Sequence, residues 1–294
     1  MIILDYSQTI ISNLMAELGG RKDIELDVPL LRHMVINTIR SHYSKFKREY
    51  GELVIACDNK KYWRKEFFPY YKAHRKKARE DSGYDWNTIF DAINTIKKEL
   101  ADNFPYKVIE VNGSEADDIV ATLCKWSQTN NLVLEGLVEV PQPILIISGD
   151  HDFYQLQKYK NVKQYSPIKK KFIVNDVAPE TVLLEHILKG DKGDGIPNVF
   201  SADNVFVDDI RQKPLSSKKL EQWLSDPNTM PKDSEFRRNF DRNKTLVDLS
   251  QIPLELETNI LDTFTNYQPS DRSNILNYFI ANRMKLMIEH IGDF

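Results

Sequence analysis

Nine acidic residues of this sequence stand where strands end or helices begin, so their carboxylates could act together. They are Asp5, Asp58, Glu115, Asp117, Asp118, Asp150, Asp152, Asp191 and Asp194. A carboxylate in such a place is often only a helix cap, and one or two of them would need no further explanation. The stretch from Glu115 to Asp118 holds three acids in four residues, which repel one another. This clustering predicts that a cation is normally present.

The chemistry of the donor atoms indicates which cation this would be. All-oxygen ligands without His or Cys select hard ions such as Mg²⁺ or Mn²⁺ rather than zinc. Two such ions about 3.5–4 Å apart can activate water and stabilise the leaving oxygen in phosphodiester hydrolysis. His151 lies between Asp150 and Asp152, but its side chain points to the opposite face of an extended segment. We therefore assign His151 a structural role.

Residues 60–82 have the composition of a surface that binds a polyanion. Between positions 60 and 79, nine Lys or Arg oppose one acid, Glu66, giving this stretch +8 in a chain of net charge −3. The rest of the chain therefore carries −11. Six aromatic residues are interleaved with the cations, and rings that stack on bases contribute about 1–3 kcal/mol each in single-strand binding. The simpler alternative is a solvated basic helix whose aromatic side chains pack on the protein body.

The elements that must position these residues follow an α/β pattern and then a helical one. Apolar runs predict buried strands at 2–4, 53–57, 108–111 and 144–147, with shorter strands at 162–165 and 172–174. Amphipathic helices are predicted between them, and residues 132–142 are predicted to be a connection. This alternation predicts a mostly parallel central sheet flanked by helices. The carboxyl edge of such a sheet would gather the first seven acids.

We predict two domains. Residues 1–178 would form the α/β metal-dependent nuclease domain, which includes the basic stretch 60–82. Residues 179–294 would form a smaller helical domain, in which Gly190, Gly193, Gly195 and Pro197 mark a tight hairpin between helical patterns. Such a Gly-rich loop can present backbone N–H groups to a phosphate.

Composition excludes several other classes of protein. Hydrophobic residues make up 41% and charged residues 28%, as in soluble globular proteins. No apolar run reaches the length of about 18 residues that a membrane span needs, and the residues after Met1 do not form a signal peptide. Cys57 and Cys124 have neither metal-site nor disulfide spacing. We therefore expect a cytoplasmic protein (in the host cytoplasm, if a phage encodes it).

Seven short motifs, in chain order, resemble the 5′-nuclease or flap endonuclease family, and within it the ribonuclease H branch of T-even bacteriophages. They are Leu4-Asp5, Ala56-Cys57-Asp58, Tyr62-Trp63-Arg64, Tyr71-Lys72-x-x-Arg75-x-Lys77-Ala78-Arg79, Glu115-Ala116-Asp117-Asp118, Gly149-Asp150-x-Asp152-Phe153 and Gly190-Asp191-x-x-Asp194. They cover most of residues 1–200, and beyond residue 200 the similarity is weaker. The acidic motifs and the downstream Gly-Asp-x-x-Asp are specific as a set.

The resemblance implies a role for each matching residue. A first Mg²⁺ would be held, directly or through water, by Asp5, Asp58, Glu115, Asp117 and Asp150. A second Mg²⁺ would be held by Asp152, Asp191 and Asp194, with Asp118 nearby, and Mn²⁺ is expected to substitute. Lys72 and Arg75 would position the scissile phosphate and stabilise its developing charge. Nucleic-acid contacts are expected from Arg64, Lys72, Arg75, Lys77, Arg79, Lys192, Gly193 and Gly195.

The resemblance also implies a basic helical arch at about 60–82 and a helix-hairpin-helix element at about 184–206. Within the latter, residues 190–205 correspond to the part that grips the duplex backbone in this family, often with a K⁺ ion. This sequence departs from the family there, because Asn198 and residues 200–202 stand where the family usually has glycines. The departure bears on the K⁺ site and on duplex affinity, and it leaves the carboxylate cluster unaffected.

The function implied is that of a structure-specific 5′ to 3′ exonuclease and flap endonuclease with ribonuclease H activity. It would act as a monomer on DNA and RNA–DNA duplexes with nicks, flaps or forks, removing RNA primers and adjacent DNA from lagging-strand 5′ ends. A single-strand binding protein and a sliding clamp are possible partners. The apolar residues Met287, Ile288, Ile291 and Phe294 could contact a clamp, or they could pack on their own domain.

Two alternatives stay open at this point. A PIN-type endoribonuclease would share the acidic sheet edge, but it would lack the large basic arch and the hairpin domain. A catalytically weak nucleic-acid-binding protein would bind its ligand without metal-dependent turnover.

Overall fold

The structure, a computed structural model, describes residues 1–19 and 26–294 and has a six-stranded sheet at its centre. The eight strands of the described chain are β1 Ile2–Asp5, β2 Leu53–Ala56, β3 Lys107–Ile109, β4 Leu132–Glu135, β5 Val138–Pro141, β6 Ile144–Ile147, β7 Val162–Ser166 and β8 Lys171–Phe172. The order in the large sheet is β3-β2-β1-β6-β7-β8, with all pairs parallel except β7–β8. The predicted fold class, an α/β fold with a mostly parallel sheet, is confirmed.

Helices cover both faces of the sheet and make up most of the chain after β8. They are α1 Tyr6–Leu18, α2 Val28–Tyr50, α3 Trp63–Phe67, α4 Arg75–Glu80, α5 Trp86–Asn103, α6 Ala116–Asn130, α7 Pro179–Lys189, α8 Ser217–Ser225, α9 Ser234–Val247, α10 Leu254–Asn266, α11 Asn274–Ala281 and α12 Lys285–Glu289. Short 3-10 helices occupy Asp152–Lys158, Pro227–Thr229, Leu249–Gln251 and Ile291–Asp293. No described helix is long and apolar enough to span a bilayer.

The central strands are apolar throughout because both of their faces are buried. In β1, Ile2 and Leu4 point into one core and Ile3 points into the other, and none of the three is exposed to solvent. A parallel sheet between two helical layers requires such continuous apolar runs. The strand register pairs Asp5 with Ala56, and Leu4 with Ile147. The chain segments that carry the predicted acids therefore leave the sheet at the same edge.

The last helices of the chain complete both cores. Ile260 and Phe264 of α10 pack into the core on the α6 side, whereas Phe279 of α11 packs into the other core. Met287 and Phe294 are 2% and 4% exposed and belong to this second core, with the Phe294 ring 5.6 Å from that of Phe104. The tail thus packs on the protein itself, in a core that it shares with residues of the predicted first domain such as Phe104. The domain division at residue 178 stays a prediction.

Three predicted segments differ from the structure. Residues 132–142 are not a plain connection, because β4 and β5 form an antiparallel hairpin that turns at Gly136, whose φ is +66°. The hairpin is largely exposed, so its sequence lacks the buried-strand pattern on which the prediction relied. The segment after Asp150 is a 3-10 helix, Asp152–Lys158. In the predicted hairpin element, α7 ends at Lys189, and the next helix begins only at Ser217.

Candidate active site

Asp5 and Asp150 lie at the ends of the two central strands and are linked by Ser148. The Ser148 hydroxyl donates to Asp5 Oδ2 at 3.0 Å and accepts from the backbone N–H of Asp150 at 3.1 Å. Asp5 also caps α1 by accepting from the Gln8 N–H, so the chain turns at once from β1 into a helix. The cap fixes one carboxylate oxygen of Asp5, and Ser148 fixes the other.

Helix α6 brings the acids of residues 115–118 to the same edge. Its N-cap is Glu115, which forms a reciprocal capping box with Asp118. Both side chains are buried, at 2% and 0% exposure. Asp58, at the end of β2, accepts from the Ala116 N–H at 2.9 Å, so it too is anchored at the start of α6. Asp117 projects from the first turn of the helix toward Asp150 and Asp5, and these are the charges that perturb it most among the acids.

The raised pKa values of these acids indicate that the protein alone does not compensate their negative charge. Burial, and then the neighbouring Asp58 and Asp150, raise the pKa of Asp5 to about 8. Burial and Asp152 raise the pKa of Asp150 to about 6, and burial and Asp150 raise the pKa of Asp117 well above its usual range. Buried carboxylates with raised pKa values are stabilised by a bound cation. The oxygen-only donor set fits Mg²⁺ or Mn²⁺.

Arg64 is a structural residue, and its predicted role as a nucleic-acid contact is wrong. Its side chain is 2% exposed, and its guanidinium lies 3.0 Å from Glu115 Oε2 and 2.8 Å from Asp118 Oδ1. Its Nε donates to the carbonyl of Leu246 at the end of α9. A guanidinium surrounded by these acceptors cannot reach a phosphate. Instead, Arg64 holds Glu115 and Asp118 in place.

Lys72 and Arg75, in contrast, do lie at the acidic edge. Lys72 Nζ is 2.5 Å from Glu115 Oε1 and 3.5 Å from Asp194 Oδ2. Arg75 binds the other oxygen of Asp194 and donates to the Gly193 carbonyl. The backbone N–H of Lys72 also donates to the Asp194 carbonyl at 2.7 Å. Burial alone would lower the pKa of Lys72, but Asp194, Tyr71 and Glu115 keep it well above the usual value.

Tyr71 joins the two predicted metal groups. Its hydroxyl donates to Asp194 Oδ2 at 2.7 Å and lies 3.2 Å from Glu115 Oε2. Its ring is 2% exposed and packs in a small core with Phe68 and Ile196. The aromatic residues of the basic segment are thus divided: Phe68 and Tyr71 are buried, whereas Phe67 and Tyr70 are 51% and 37% exposed.

The second predicted metal group contains a residue that the sequence did not reveal. Asp152 and Asp191 lie on either side of the imidazole of His186, and one ligand atom from each of the three lies within 4.8 Å of the other two. Among residues 1–19 and 26–294, this is the one group of His, Cys or acidic residues with that geometry. His186 is a lone histidine on α7, and no local motif distinguishes it. Its position becomes informative only when α7 is packed against the 3-10 helix after Asp150.

Asp194 is placed differently from this pair. Its carboxylate is held by Lys72, Arg75 and Tyr71, while its backbone N–H donates to Asp191 Oδ1 at 2.9 Å. Burial alone would raise the pKa of Asp191, but the contacts with His186 and with backbone N–H groups lower it to about 2. Burial likewise opposes the charge on His186, yet Asp152 and Asp191 raise its pKa to about 10.

The hairpin after α7 is closed by two backbone hydrogen bonds between Asp191 and Ile196. Side chains of α9 bind carbonyl groups on either side of this hairpin. Arg242, 5% exposed, donates to the carbonyl of Pro197, and Asn243 donates to the carbonyls of Ile187 and Pro197. Buried side-chain donors thus bind carbonyl oxygens of the region where the resemblance implied a K⁺ ion, and the described hairpin gives that ion no support.

The remaining predicted nucleic-acid contacts do not converge on the carboxylates. Lys77 and Lys192 are exposed, as is Gly193, and Arg79 stacks over the rings of Trp86 and Phe90. Gly195 is buried against residues 70–74, and a Cβ there would lie 2.9 Å from His74 Nδ1. The prediction that Gly195 contacts nucleic acid is therefore wrong. Its conformation, with φ of +73°, serves the packing of the hairpin against residues 70–74.

The chain matches two known family models, one in each half of the sequence. Residues 29–184 match the family model of the 5′-3′ exonuclease N-terminal resolvase-like domain. The chain belongs to the 5′-3′ exonuclease family. Residues 177–294 match a second model, that of the C-terminal region of T4 RNase H.

Individual relatives agree with this assignment. Ribonuclease H of Enterobacteria phage T4 is 32% identical over 302 residues, which span 99% of this chain and 95% of the relative. A 5′-3′ exonuclease of Streptomyces coelicolor is 28% identical over 167 residues, about half of each chain. Among solved structures, the flap endonuclease of bacteriophage T5 in a complex with DNA and metal ions has a TM-score of 0.62 at 15% identity, covering 90% of this chain and 97% of that one. That similarity shows the fold.

Proposed function

We propose that this protein is a divalent-metal-dependent 5′ nuclease that hydrolyses phosphodiester bonds. Membership of the 5′-3′ exonuclease family supports the reaction class. The observation that carries the proposal is the meeting of Asp5, Asp117 and Asp150 at one sheet edge, each with a raised pKa. Such a group is costly for the folded protein unless cations compensate its charge.

The residues of this edge divide into two candidate metal positions. Asp5, Asp58, Glu115, Asp117 and Asp150 would hold a first Mg²⁺, in part through water, because Mg²⁺ usually keeps several water ligands. Asp152 and Asp191, with Asp194 beside them, would hold a second, and Mn²⁺ would substitute. When bound, such ions activate a water nucleophile and stabilise the leaving oxygen. Asp118 is committed to the capping box and to Arg64, so we assign it support of Glu115 and not ligation.

Lys72 and Arg75 would bind the phosphate that is cleaved. Both are now held by carboxylates of the two metal groups, Glu115 and Asp194. Neutralisation of those carboxylates weakens this hold, since an ion pair depends on both charges. The two side chains are then available to a phosphate at the same edge. A guanidinium and an ammonium at this place stabilise the charge that develops on the phosphate oxygens.

The substrates would be DNA and RNA–DNA duplexes with nicks, flaps or forks, and the products would include short fragments from RNA primers and adjoining DNA. The protein would act as a monomer in the cytoplasm of its host cell. A single-strand binding protein and a sliding clamp are the proposed protein partners. Because Met287 and Phe294 are buried, a clamp would have to contact a surface other than these two side chains.

The test uses a nicked duplex whose downstream strand begins with RNA, beside a flapped DNA duplex. Each substrate is incubated with Mg²⁺ or with EDTA, using the wild-type protein, Asp150→Asn and the exposed control Asp262→Asn on α10. We expect short 5′ products that disappear with EDTA and fall at least about 100-fold with Asp150→Asn. The control variant should cleave like the wild type.

A second candidate function, metal-independent nucleic-acid binding, predicts a different result. It would give a salt-sensitive gel shift with both substrates and no products under any metal condition. Wild-type cleavage by Asp150→Asn would also contradict the proposed mechanism.

A further inference from the structure

The imidazole of His186 bridges two carboxylates of the second metal group with both of its nitrogens. Nδ1 lies 3.1 Å from Asp152 Oδ1, and Nε2 lies 3.0 Å from Asp191 Oδ2. All three side chains are partly buried, with exposures of 18% for Asp152, 21% for His186 and 30% for Asp191. A neutral imidazole has one N–H, so it can donate to only one of the two acids.

The two contacts are not equivalent. The contact between Nε2 and Asp191 has hydrogen-bond geometry. The contact between Nδ1 and Asp152 is within range but makes no hydrogen bond, and Asp152 Oδ1 is a buried oxygen without a hydrogen-bond partner. Without a metal ion, a proton on Nδ1 would supply the positive charge between Nδ1 and Asp152 Oδ1. A divalent ion bound by both atoms would displace that proton and compensate the same carboxylate.

Their separation suits joint coordination of one ion. Two ligand atoms at right angles, each about 2.1 Å from an octahedral ion, lie about 3 Å apart. A metal-binding histidine commonly donates its second ring N–H to a carboxylate, which fixes the orientation of the ring. Asp191 is placed for that role, since its other oxygen already accepts from the Asp194 N–H.

We infer that His186 Nδ1 and Asp152 Oδ1 are ligands of the ion in the second metal position, with Asp191 orienting the imidazole. This inference rests on the proposed metal-dependent nuclease and changes the ligand set that the sequence predicted. A nitrogen donor should raise the preference of the second position for Mn²⁺ over Mg²⁺, because Mg²⁺ prefers oxygen ligands whereas Mn²⁺, a transition-metal ion, also accepts nitrogen. The two metal positions would thus differ in their preference for metals.

The direct test is pulsed electron paramagnetic resonance of the full-length protein loaded with Mn²⁺, without substrate. Coordination by His186 produces a ¹⁴N modulation in the electron spin echo. Protein labelled with ¹⁵N-histidine should lose this modulation, which assigns the nitrogen to an imidazole without any substitution. Absence of ¹⁴N modulation at saturating Mn²⁺ would overturn the inference.

Variants then identify the histidine. His186→Gln keeps an amide donor near the place of Nε2, facing Asp191, and removes the Nδ1 donor. We expect the modulation to disappear and calorimetry to show Mn²⁺ binding at one position weakened by about 10-fold or more, with Mg²⁺ binding changed less. The control His151→Gln removes the exposed histidine between Asp150 and Asp152 and should leave both measurements unchanged.

The outcomes separate this inference from the proposed function. Mn²⁺ bound without nitrogen coordination, in a protein that cleaves its substrate, would overturn the ligand assignment alone. A protein that binds no divalent ion at all would overturn both. Circular dichroism melting curves show whether His186→Gln is folded, and the ¹⁵N-histidine spectrum of the wild type decides the question if it is not.

Discussion

Lys72 Nζ lies 2.5 Å from Glu115 Oε1, so a lysine of the basic segment forms an ion pair with the N-cap residue of α6. The contact joins the two features that the sequence presents separately, the cationic stretch and the acidic cluster. Lys72 adopts this position with a left-handed backbone, at φ of +55°, which is uncommon for a residue with a side chain. An unfavourable conformation held by surrounding contacts is typical of functional positions.

Lys72→Met should therefore reduce cleavage by about 10²–10³-fold, because it removes a charge that stabilises the transition state. Single-turnover rates on the flapped substrate measure this effect, and the exposed Lys76→Met on α4 serves as the control. Tight substrate binding with slow cleavage is the expected pattern. A variant that cleaves at the wild-type rate would show that Lys72 acts only as a counter-ion of Glu115.

Replacement of Arg64 should destabilise the fold. Arg64→Met leaves Glu115 and Asp118 buried without their guanidinium, and breaking a buried ion pair in this way costs about 3–5 kcal/mol. Urea unfolding measures the loss, with the exposed Arg237→Met as the matched control. Asp118→Asn in the same background should recover part of the stability. If the double variant were no more stable than Arg64→Met, the carboxylate of Asp118 would not be the source of the cost.

Gly190→Ala should be among the most damaging small substitutions. Its Cβ would overlap the carbonyl oxygens of Ile196 and Pro197, and φ is +67°. We expect a loss of about 3 kcal/mol or more in unfolding free energy, from the clash together with the backbone strain. Gly136→Ala separates the two effects, since Gly136 has φ of +66° but no atom within 4 Å of a Cβ. Gly136→Ala should lower the unfolding free energy by only the cost of the left-handed backbone conformation, about 1–2 kcal/mol. Equal losses of unfolding free energy in the two variants would show that the clash at Gly190 does not destabilise the fold.

His42 should make stability depend on pH. Burial, and then Lys45, lower the pKa of His42 to about 4, and its Nε2 is buried without a hydrogen-bond partner. Between pH 6.5 and 4 the unfolded chain binds a proton that the folded protein does not, so stability falls as the pH falls through this window. The loss due to His42 should approach about 2–3 kcal/mol.

Denaturant unfolding at several pH values, compared with His42→Gln, tests this expectation. The two stability curves should diverge as the pH drops below about 6.5. His151→Gln is the control for replacement of an exposed histidine. Parallel curves for the wild type and His42→Gln would contradict the prediction.

Sequence patterns predict the sheet and most of the acidic edge because both depend on local signals. Strands buried on both faces are continuously apolar, and parallel strands deliver the residues that follow them to one edge. Asp5, Asp58 and Asp150 could therefore be placed together without coordinates. The residues that cap α6 are less predictable, since Glu115 and Asp118 form the capping box, whereas the hydroxyl of the preceding Ser114 donates to the Val111 carbonyl.

What the sequence could not show are contacts between distant segments. Arg64 resembles its basic neighbours in composition, and only the approach of Leu246 and the α6 start identifies it as buried. His186 lies 34 positions after Asp152, and only the packing of α7 on the 3-10 helix brings them together. The same holds for Arg242, whose binding of hairpin carbonyls depends on α9. In each case the local sequence does not indicate which distant segment the residue contacts.

The packing of α10 and α11 on opposite faces of the sheet limits how this protein could be recombined. A domain that docks through one surface can be exchanged between relatives as a unit. Here Phe264 and Phe279 fill two separate cores, so a transplanted C-terminal half would need matching side chains on both faces of its new host. Exchange of α10 and α11 between relatives would therefore require coordinated changes on both faces of the sheet.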